Sequence, residues 1–325
     1  MNRMKKIAML FNLNRHQFEY ETEFDSEYTI DSIYNTLSKN YLVEKIEADK
    51  DFNWISKLKT YNPNLVFNIC EGFHGPARES VYAAILEQLG LNYSGPDSTN
   101  MLVCHNKFLA KKLLKDDVLV PFGYVIKNKD EIKFLSNIKF PVIVKLNSEG
   151  SSMGMTKDSV VYNFDSLNKE VTRFIDTYNR GVLVEQYIKG QDISMIYVEG
   201  LGALGPCIVN CDSEFYDYEM KSDKDDTVDI STLDGNFDEL KMIVENIARK
   251  LDIKGYAKLD FRISDGKFYL IEVNAQVSFH PEGEFITCAK KDNYSFEQII
   301  NFIVKNALQH ENKINSVGIV GDINE

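Results

Sequence analysis

Apolar positions in the first hundred residues alternate between short unbroken runs and helical spacing. Residues 6–11, 41–46 and 65–69 are compact apolar runs of strand length. Between the first two, Tyr28, Ile30, Ile33, Tyr34 and Leu37 recur on one side of a helix predicted over 27–38. A shorter helix is predicted over 52–61, and another over 79–89 that Gly90 closes. Strands separated by helices imply a parallel sheet with short crossovers. No G-x-G-x-x-G follows the first strand, which counts against a dinucleotide-binding domain.

Gly95-Pro96 is a breaker. Beyond it a helix is predicted over 100–114, carrying Lys107, Lys111 and Lys112. Val120-Pro121-Phe122-Gly123 breaks the chain again. An apolar strand over 140–146 then leads into the small, flexible run 148–154. A helix is predicted over 167–178, strands over 182–187 and 193–198, and helices over 234–251 and 296–307. The breaks divide the chain into units 1–100, 101–181 and 182–310, followed by a polar tail over 311–325. There is no internal repeat.

The densest chemistry lies near the end of the third unit. Tyr269-Leu270-Ile271-Glu272-Val273-Asn274 is an apolar run ending in a carboxylate and an amide two residues apart. On a strand that spacing puts both side chains on one face. Asp260 sits on a second apolar segment, and Ser264-Asp265-Gly266-Lys267 reads as the hairpin turn between them. Folded back, the hairpin gathers Asp260, Glu272 and Asn274. Such hard oxygen ligands suit Mg²⁺, or Mn²⁺ in its place, together with phosphate oxygens.

Composition narrows the partners. The chain has 325 residues and a formal net charge of −12, which disfavours nucleic acid and anionic membrane. No run of 18 or more apolar residues exists, so no transmembrane helix is expected. The apolar stretch near Met1 stops at Asn12 and reads as a strand rather than a signal peptide. Five cysteines without close pairs fit a reducing cytoplasm, and Cys207 with Cys211 lacks a second Cys/His pair to complete a metal site.

Three upstream segments suit a nucleoside triphosphate. Lys145 at a strand end, followed by Ser148-Glu149-Gly150-Ser151-Ser152-Met153-Gly154, could set a point charge and a Gly/Ser loop on phosphates, though the spacing is not that of a Walker loop. Leu183-Val184-Glu185-Gln186-Tyr187-Ile188 is a strand whose backbone could read a base edge, with Asp192 beyond the turn at Gly190 placed for ribose hydroxyls. Phe215-Tyr216-Asp217-Tyr218-Glu219-Met220-Lys221 ends in a lysine with phosphate reach. Read singly, these are ordinary turns and an edge strand; in order they are more specific.

In that order the stations resemble the ATP-grasp superfamily, and most of all the D-alanine–D-alanine ligases, from about Leu65 to the last helix. The resemblance implies a three-domain architecture: an N-terminal parallel α/β domain, then two α+β subdomains that clasp ATP. It implies an ADP-forming ligase in which a substrate carboxylate becomes an acyl phosphate that an amine attacks. By position, Lys107 and Lys145 are similar to the family's phosphate-binding lysines, and Ser151, Ser152 and Met153 to its mobile loop. Glu185, Gln186, Tyr187 and Ile188 resemble the adenine linker, Asp192 the ribose carboxylate and Lys221 the lysine of a Tyr-Glu-x-Lys motif. Asp260, Glu272 and Asn274 resemble the Mg²⁺ ligands. Catalytic roles would fall to Ser151, Lys221 and Lys258. The implied partners are small amino-acid or peptide-like substrates and, for assembly, a homodimer.

The substrate half departs from the family pattern. Lys258 stands where the family has an arginine, giving charge without a bidentate fork. Ser222 follows Lys221 where a tyrosine is usual, and Asn274-Ala275-Gln276-Val277-Ser278 replaces Asn-Thr-Ser-Pro-Gly. The acidic-serine motif near the N-terminus has no clear counterpart, with Glu23, Asp25 and Glu27 only nearby. His74, Arg78 and His280 are candidate substrate contacts: an arginine to clamp a carboxylate and histidines to orient an amine. The sequence therefore points to a ligase with an unnamed acid and amine. A D-alanine–D-alanine ligase of the cell wall and a non-catalytic nucleotide-binding module remain the alternatives.

Overall fold

The computed structural model describes residues 4–211 and 228–309. The segment carrying Lys221 and the polar tail lie outside the described residues.

β1 (Lys6–Phe11), α1 (Glu27–Leu37), β2 (Leu42–Glu47), α2 (Asn53–Tyr61) and β3 (Leu65–Ile69) build the first unit. Both β2 and β3 pair in parallel with β1, in the order β2-β1-β3. β3 is buried at all five positions, as expected of a parallel strand covered on both faces. Ser26 caps α1 by accepting from the Thr29 N–H. α3 (Arg78–Gln88) follows β3.

The helix expected over 100–114 is two helices, α4 (Ser98–His105) and α5 (Lys107–Leu114). Asn106 leaves the helical region at φ −89° and ψ 93°, and its side chain accepts from the Leu109 N–H at 3.0 Å. Asn side chains compete in this way with helical backbone bonds. The break starts a new helix at Lys107 and turns that lysine inward.

The central sheet has the order β4-β7-β5-β6, formed by β4 (Gly123–Ile126), β5 (Val142–Leu146), β6 (Val160–Val161) and β7 (Val182–Gln186). α6 (Phe164–Tyr178), capped by Asn163, covers it. Because β7 pairs with both β4 and β5, this sheet crosses residue 181, where a boundary was expected. The apolar run of β7 gains a neighbour on each side only by belonging here.

The third unit holds an antiparallel sheet in the order β10-β9-β8-β11-β12. Its strands are β8 (Gln191–Val198), β9 (Gly202–Cys211), β10 (Val228–Thr232), β11 (Tyr256–Ser264) and β12 (Lys267–Asn274). α7 (Asp238–Lys250), α8 (Glu284–Lys291) and α9 (Phe296–Gln309) pack around it. The predicted hairpin forms, with Asp265 and Gly266 at φ 48° and 72°, the twist-matched two-residue turn. β9, β10 and α8 were not read from the sequence: Gly205-Pro206 interrupts the apolar run of β9, and α8 has only eight residues. α7 begins at Asp238 rather than 234, after Gly235 at φ 146°.

The packing joins these units unequally. Met9, Ile33 and Phe67 of the first unit share one core with Tyr256, Phe279, Phe285 and Ile300 of the third. Phe67 and Phe279 stand 5.6 Å apart, centroid to centroid. The central sheet keeps its own core, in which Val144, Val171, Phe174 and Val184 pack with Met153 and Met155. Polar contacts tie it to the first unit: the Tyr178 hydroxyl donates to Glu19 at 2.8 Å, and Arg78 pairs with Glu149 at 3.3 Å.

Candidate active site

The central and C-terminal sheets face each other across an open cleft. Lys107, Lys145, Ser151, Ser152, Met153, Glu185, Gln186, Tyr187, Ile188, Asp192, Lys258, Asp260 and Glu272 all line it. Residues predicted from five separate stretches thus meet on one surface. Ser151 and Ser152 adopt φ values of 47° and 54°, a left-handed conformation that costs non-glycine residues energy and recurs in ligand clamps.

Glu185 contributes less to a base than to the cleft's charge. Its carboxylate, 1% exposed, pairs with Lys145 at 2.5 Å and with Lys111. Burial pushes Glu185 up, but the two ammonium groups outweigh it and hold the carboxyl below its ordinary value. Burial lowers Lys111 to about 8. One carboxylate against two ammonium groups leaves an excess positive charge, and the buried Lys111 bears its cost. Sequence reading placed Lys111 on the helix without a role. Its spacing of four from Lys107, which puts both on one helix face, was the available signal.

The backbone of the linker is engaged by its own fold. Gln186 donates to the Phe122 carbonyl and Tyr187 to that of Pro141, while the Ile188 carbonyl accepts from Arg262 at 2.8 Å. Arg262 also grips Asp192 bidentately, at 2.6 and 2.8 Å, and stacks 5.1 Å from the Tyr187 ring. Arg262 went unremarked in the sequence, yet it fixes the carboxylate assigned to the ribose.

Across the cleft, strand register delivers the predicted cluster. Asp260 pairs with Glu272 and Lys258 with Asn274 on β11 and β12. The Asn274 amide donates to Asp260 at 2.8 Å and to Glu272 at 3.4 Å. Lys258 pairs with Asp260 at 3.0 Å and with Glu284 of α8, and Ser194 donates to Asp260 at 2.6 Å. Lys107 reaches Glu272 at 3.2 Å. Burial, foremost, raises Asp260 to about 7; Lys258 pulls the other way, and Glu284 and Glu272 add to the rise. Burial opposes the charge on Lys258, but Asp260 and Glu284 outweigh it and hold it well above its ordinary value.

Among the described residues, no group of three or more His, Cys, Asp or Glu side chains is arranged to hold a metal ion. Asp260 and Glu272 give two carboxylates beside one amide. That donor set fits a Mg²⁺ whose remaining ligands are phosphate oxygens and waters, not an ion caged by protein alone.

A smaller cavity adjoins the cleft through Lys107, Gly150 and Glu272. Glu23, Glu71, Glu79 and His105 line it from the N-terminal side, and Asn274 and Gln276 from the sheet. Glu79 pairs with His105 at 2.5 Å. Arg78 is 3% exposed and enclosed by Glu23, Glu71, Glu79 and Glu149. Its guanidinium holds this carboxylate cage together and does not line the cavity. His74 is exposed and packs on Tyr20 and Phe73. His280, half-buried, meets Tyr28 and Glu282. Neither histidine lines the cleft or the cavity.

Asp25, buried beside the loop after β12, accepts from the Ser278 hydroxyl at 2.7 Å. Burial raises it to about 7 against the opposing Ser278 bond. Between about pH 4 and pH 7 the folded chain keeps a proton that the unfolded chain has lost. This contribution, about 4 kcal/mol, is complete below pH 4 and lost as pH rises through 7. Asp25→Asn should therefore resist urea better than wild type at pH 8 and flatten the decline between pH 5 and 8. An unchanged slope would show that Asp25 is ionised throughout.

The family profile "D-ala D-ala ligase C-terminus" matches residues 122–305, from β4 to α9. The chain belongs to this family. It is an ATP-grasp enzyme, an ADP-forming carboxylate–amine ligase. The D-alanine–D-alanine ligase of Thermotoga sp. (strain RQ2) is 27% identical over 264 residues, 79% of this chain and 83% of that one. Its counterpart from Pelagibacter ubique is 27% identical over 282 residues, covering 83% and 89%. Among solved structures, the Bacillus anthracis D-alanine–D-alanine ligase complexed with ATP superposes with a TM-score of 0.75 at 20% identity, covering 95% of this chain and 98% of that one. The VanG D-Ala:D-Ser ligase of Enterococcus faecalis gives 0.74 at 19% identity, covering 94% and 100%. The ligase has no helix among the described residues long and apolar enough to cross a membrane.

Proposed function

We propose that this ligase joins the carboxylate of an amino acid or peptide-like substrate to an amine, with ATP bound in the large cleft and the acid in the adjoining cavity. The carrying observation is the meeting of Lys107, Lys145 and the serine loop with Asp260, Glu272 and Lys258 at the mouth of that cavity. Lys107 and Lys145 neutralise phosphate charge, and the serines at 151 and 152 lay hydroxyls and backbone N–H groups over the phosphates. Asp192, fixed by Arg262, takes the ribose. Lys221 keeps the phosphate role its motif implies. Mg²⁺ on Asp260, Glu272 and Asn274 would supply charge neutralisation between phosphates.

The γ-phosphoryl group passes to the substrate carboxylate, giving an acyl phosphate and ADP. The amine then attacks and phosphate leaves. Such transfers depend on positioning and electrostatics more than on acid–base chemistry. Lys258, kept protonated by Asp260 and Glu284, faces the charge that develops on the carbonyl oxygen. Closing residues 148–154 over the site would exclude water from the acyl phosphate.

The names of the relatives favour a second reading, D-alanine as both acid and amine. One assay separates the two: ADP release with Mg²⁺ and ATP, challenged with D-alanine and then with D- and L-amino acids and dipeptides, with products identified by mass. Turnover with other substrates and silence with D-alanine support the first reading. Formation of D-alanyl-D-alanine at full rate supports the second. ATP binding without turnover on any substrate would sink both.

A further inference from the structure

Gln276 is 6% exposed, lines the smaller cavity, and neither its amide nitrogen nor its oxygen meets a hydrogen-bond partner among the described residues. A buried carboxamide with both ends unsatisfied is costly and uncommon. Its surroundings do not relieve it. His105 answers Glu79, Lys107 answers Glu272, and the Asn274 amide is spent on Asp260 and Glu272. Neighbouring Ala275 packs into the sheet's core, and Val273 adds only apolar surface to the cavity wall. The carboxamide is thus an unused donor and acceptor at the cavity wall, and across the cavity the Nε2 of His105 is likewise without a partner.

Resting on the ligase reading above, we propose that Gln276 selects the acid substrate by its side chain, pairing with a group that both donates and accepts. A hydroxyl or a carboxamide does so; a methyl group cannot. The preferred acids are therefore small polar amino acids of the serine, threonine or asparagine kind rather than alanine. The reacting carboxylate would face Lys107 and Glu272, where the cavity opens to the cleft, with the side chain against Gln276 on the sheet wall. A site built for hydrogen bonding rejects the analogue lacking the group, because its own polar atoms stay unpaired.

Calorimetric titration tests this on the full chain loaded with Mg²⁺ and a non-hydrolysable ATP analogue. The panel is D- and L-alanine, serine, threonine and asparagine, titrated into wild type and Gln276→Met, which keeps the volume and removes the carboxamide. Wild type should bind a polar amino acid at least about tenfold more tightly than alanine of the same hand. Gln276→Met should lose that preference and bind alanine as well or better. Gln276→Asn, which keeps the amide, should retain part of it, and stands in if the methionine variant does not fold. Equal affinities in wild type, or a preference that survives in Gln276→Met, would overturn the proposal. ADP release is read in parallel. Polar-selective binding without turnover would refute the ligase reading while leaving the selectivity intact.

Discussion

Glu272→Gln should lower substrate-dependent ADP release by about 10³-fold, the scale of removing one well-placed electrostatic group. The substitution keeps shape and hydrogen-bonding length but deletes one of the two carboxylates that face each other across β11 and β12. Asp260 alone, with Lys258 at 3.0 Å, would carry too little negative charge to hold a divalent cation against phosphate. Lys107 would also lose its 3.2 Å partner, so nucleotide affinity need not fall in step with turnover. The thermal midpoint should move little, since the Glu272 side chain is 20% exposed and outside the cores. Turnover near wild type would remove the assignment of Asp260, Glu272 and Asn274.

The second large effect is on stability. Glu185→Gln leaves the ammonium groups of Lys111 and Lys145 without their shared counter-charge at a buried site. Breaking a buried pair from one side costs about 3–5 kcal/mol. The midpoint should drop by roughly 10 °C at neutral pH, given about 2–4 °C per kcal/mol for a chain this large. Adding Lys111→Met removes one stranded charge and should restore part of the loss, so the two changes are non-additive. The pH response has a definite sign. Lys111 already titrates near 8 in the fold against 10.5 ordinarily, so the unfolded chain binds more protons between those values. Its burial penalty therefore fades as pH rises through that window. Glu185→Gln should recover more than wild type on going from pH 7 to 9. Equal midpoints for variant and wild type at pH 7 would mean that Lys111 is neutral there.

The two predictions differ in how far the sequence could have reached them. Glu272 and Asn274 were legible because strand periodicity puts i and i+2 on one face, and a two-residue turn needing positive φ names where the hairpin folds back. Glu185 and Lys111 are 74 residues apart, and their pairing exists only once β7 has been taken into the central sheet. Separations of 26 and 70 residues likewise hid Glu284 from Lys258 and Arg262 from Asp192. The Asn106 break was hidden differently. Asparagine is tolerated within helices, and only the bond from its side chain to the Leu109 N–H, with Asn147 donating to it, decides for a cap. Gln276 showed in the sequence as a departure from the family pattern, but its lack of partners is a property of burial.

The unequal sharing of cores bears on the order in which the enzyme handles its ligands. The first and third units, with α4 and α5, form one solid block, whereas the central sheet keeps its own core and meets that block through polar contacts, among them Tyr178–Glu19, Arg78–Glu149, Lys111–Glu185 and Arg262–Ile188. Polar latches of this sort open at lower free energy than a core. The nucleotide cleft lies between block and central sheet, but the acid cavity takes its walls from the first and third units and from α4 and α5, which pack on the third, with Gly150 the one residue from the loop of the central sheet. An outward swing of the central body would release ADP while the acid's binding surface stays assembled. Amide exchange should then report two cooperative units, with the central sheet opening first and growing slower to exchange once nucleotide is bound.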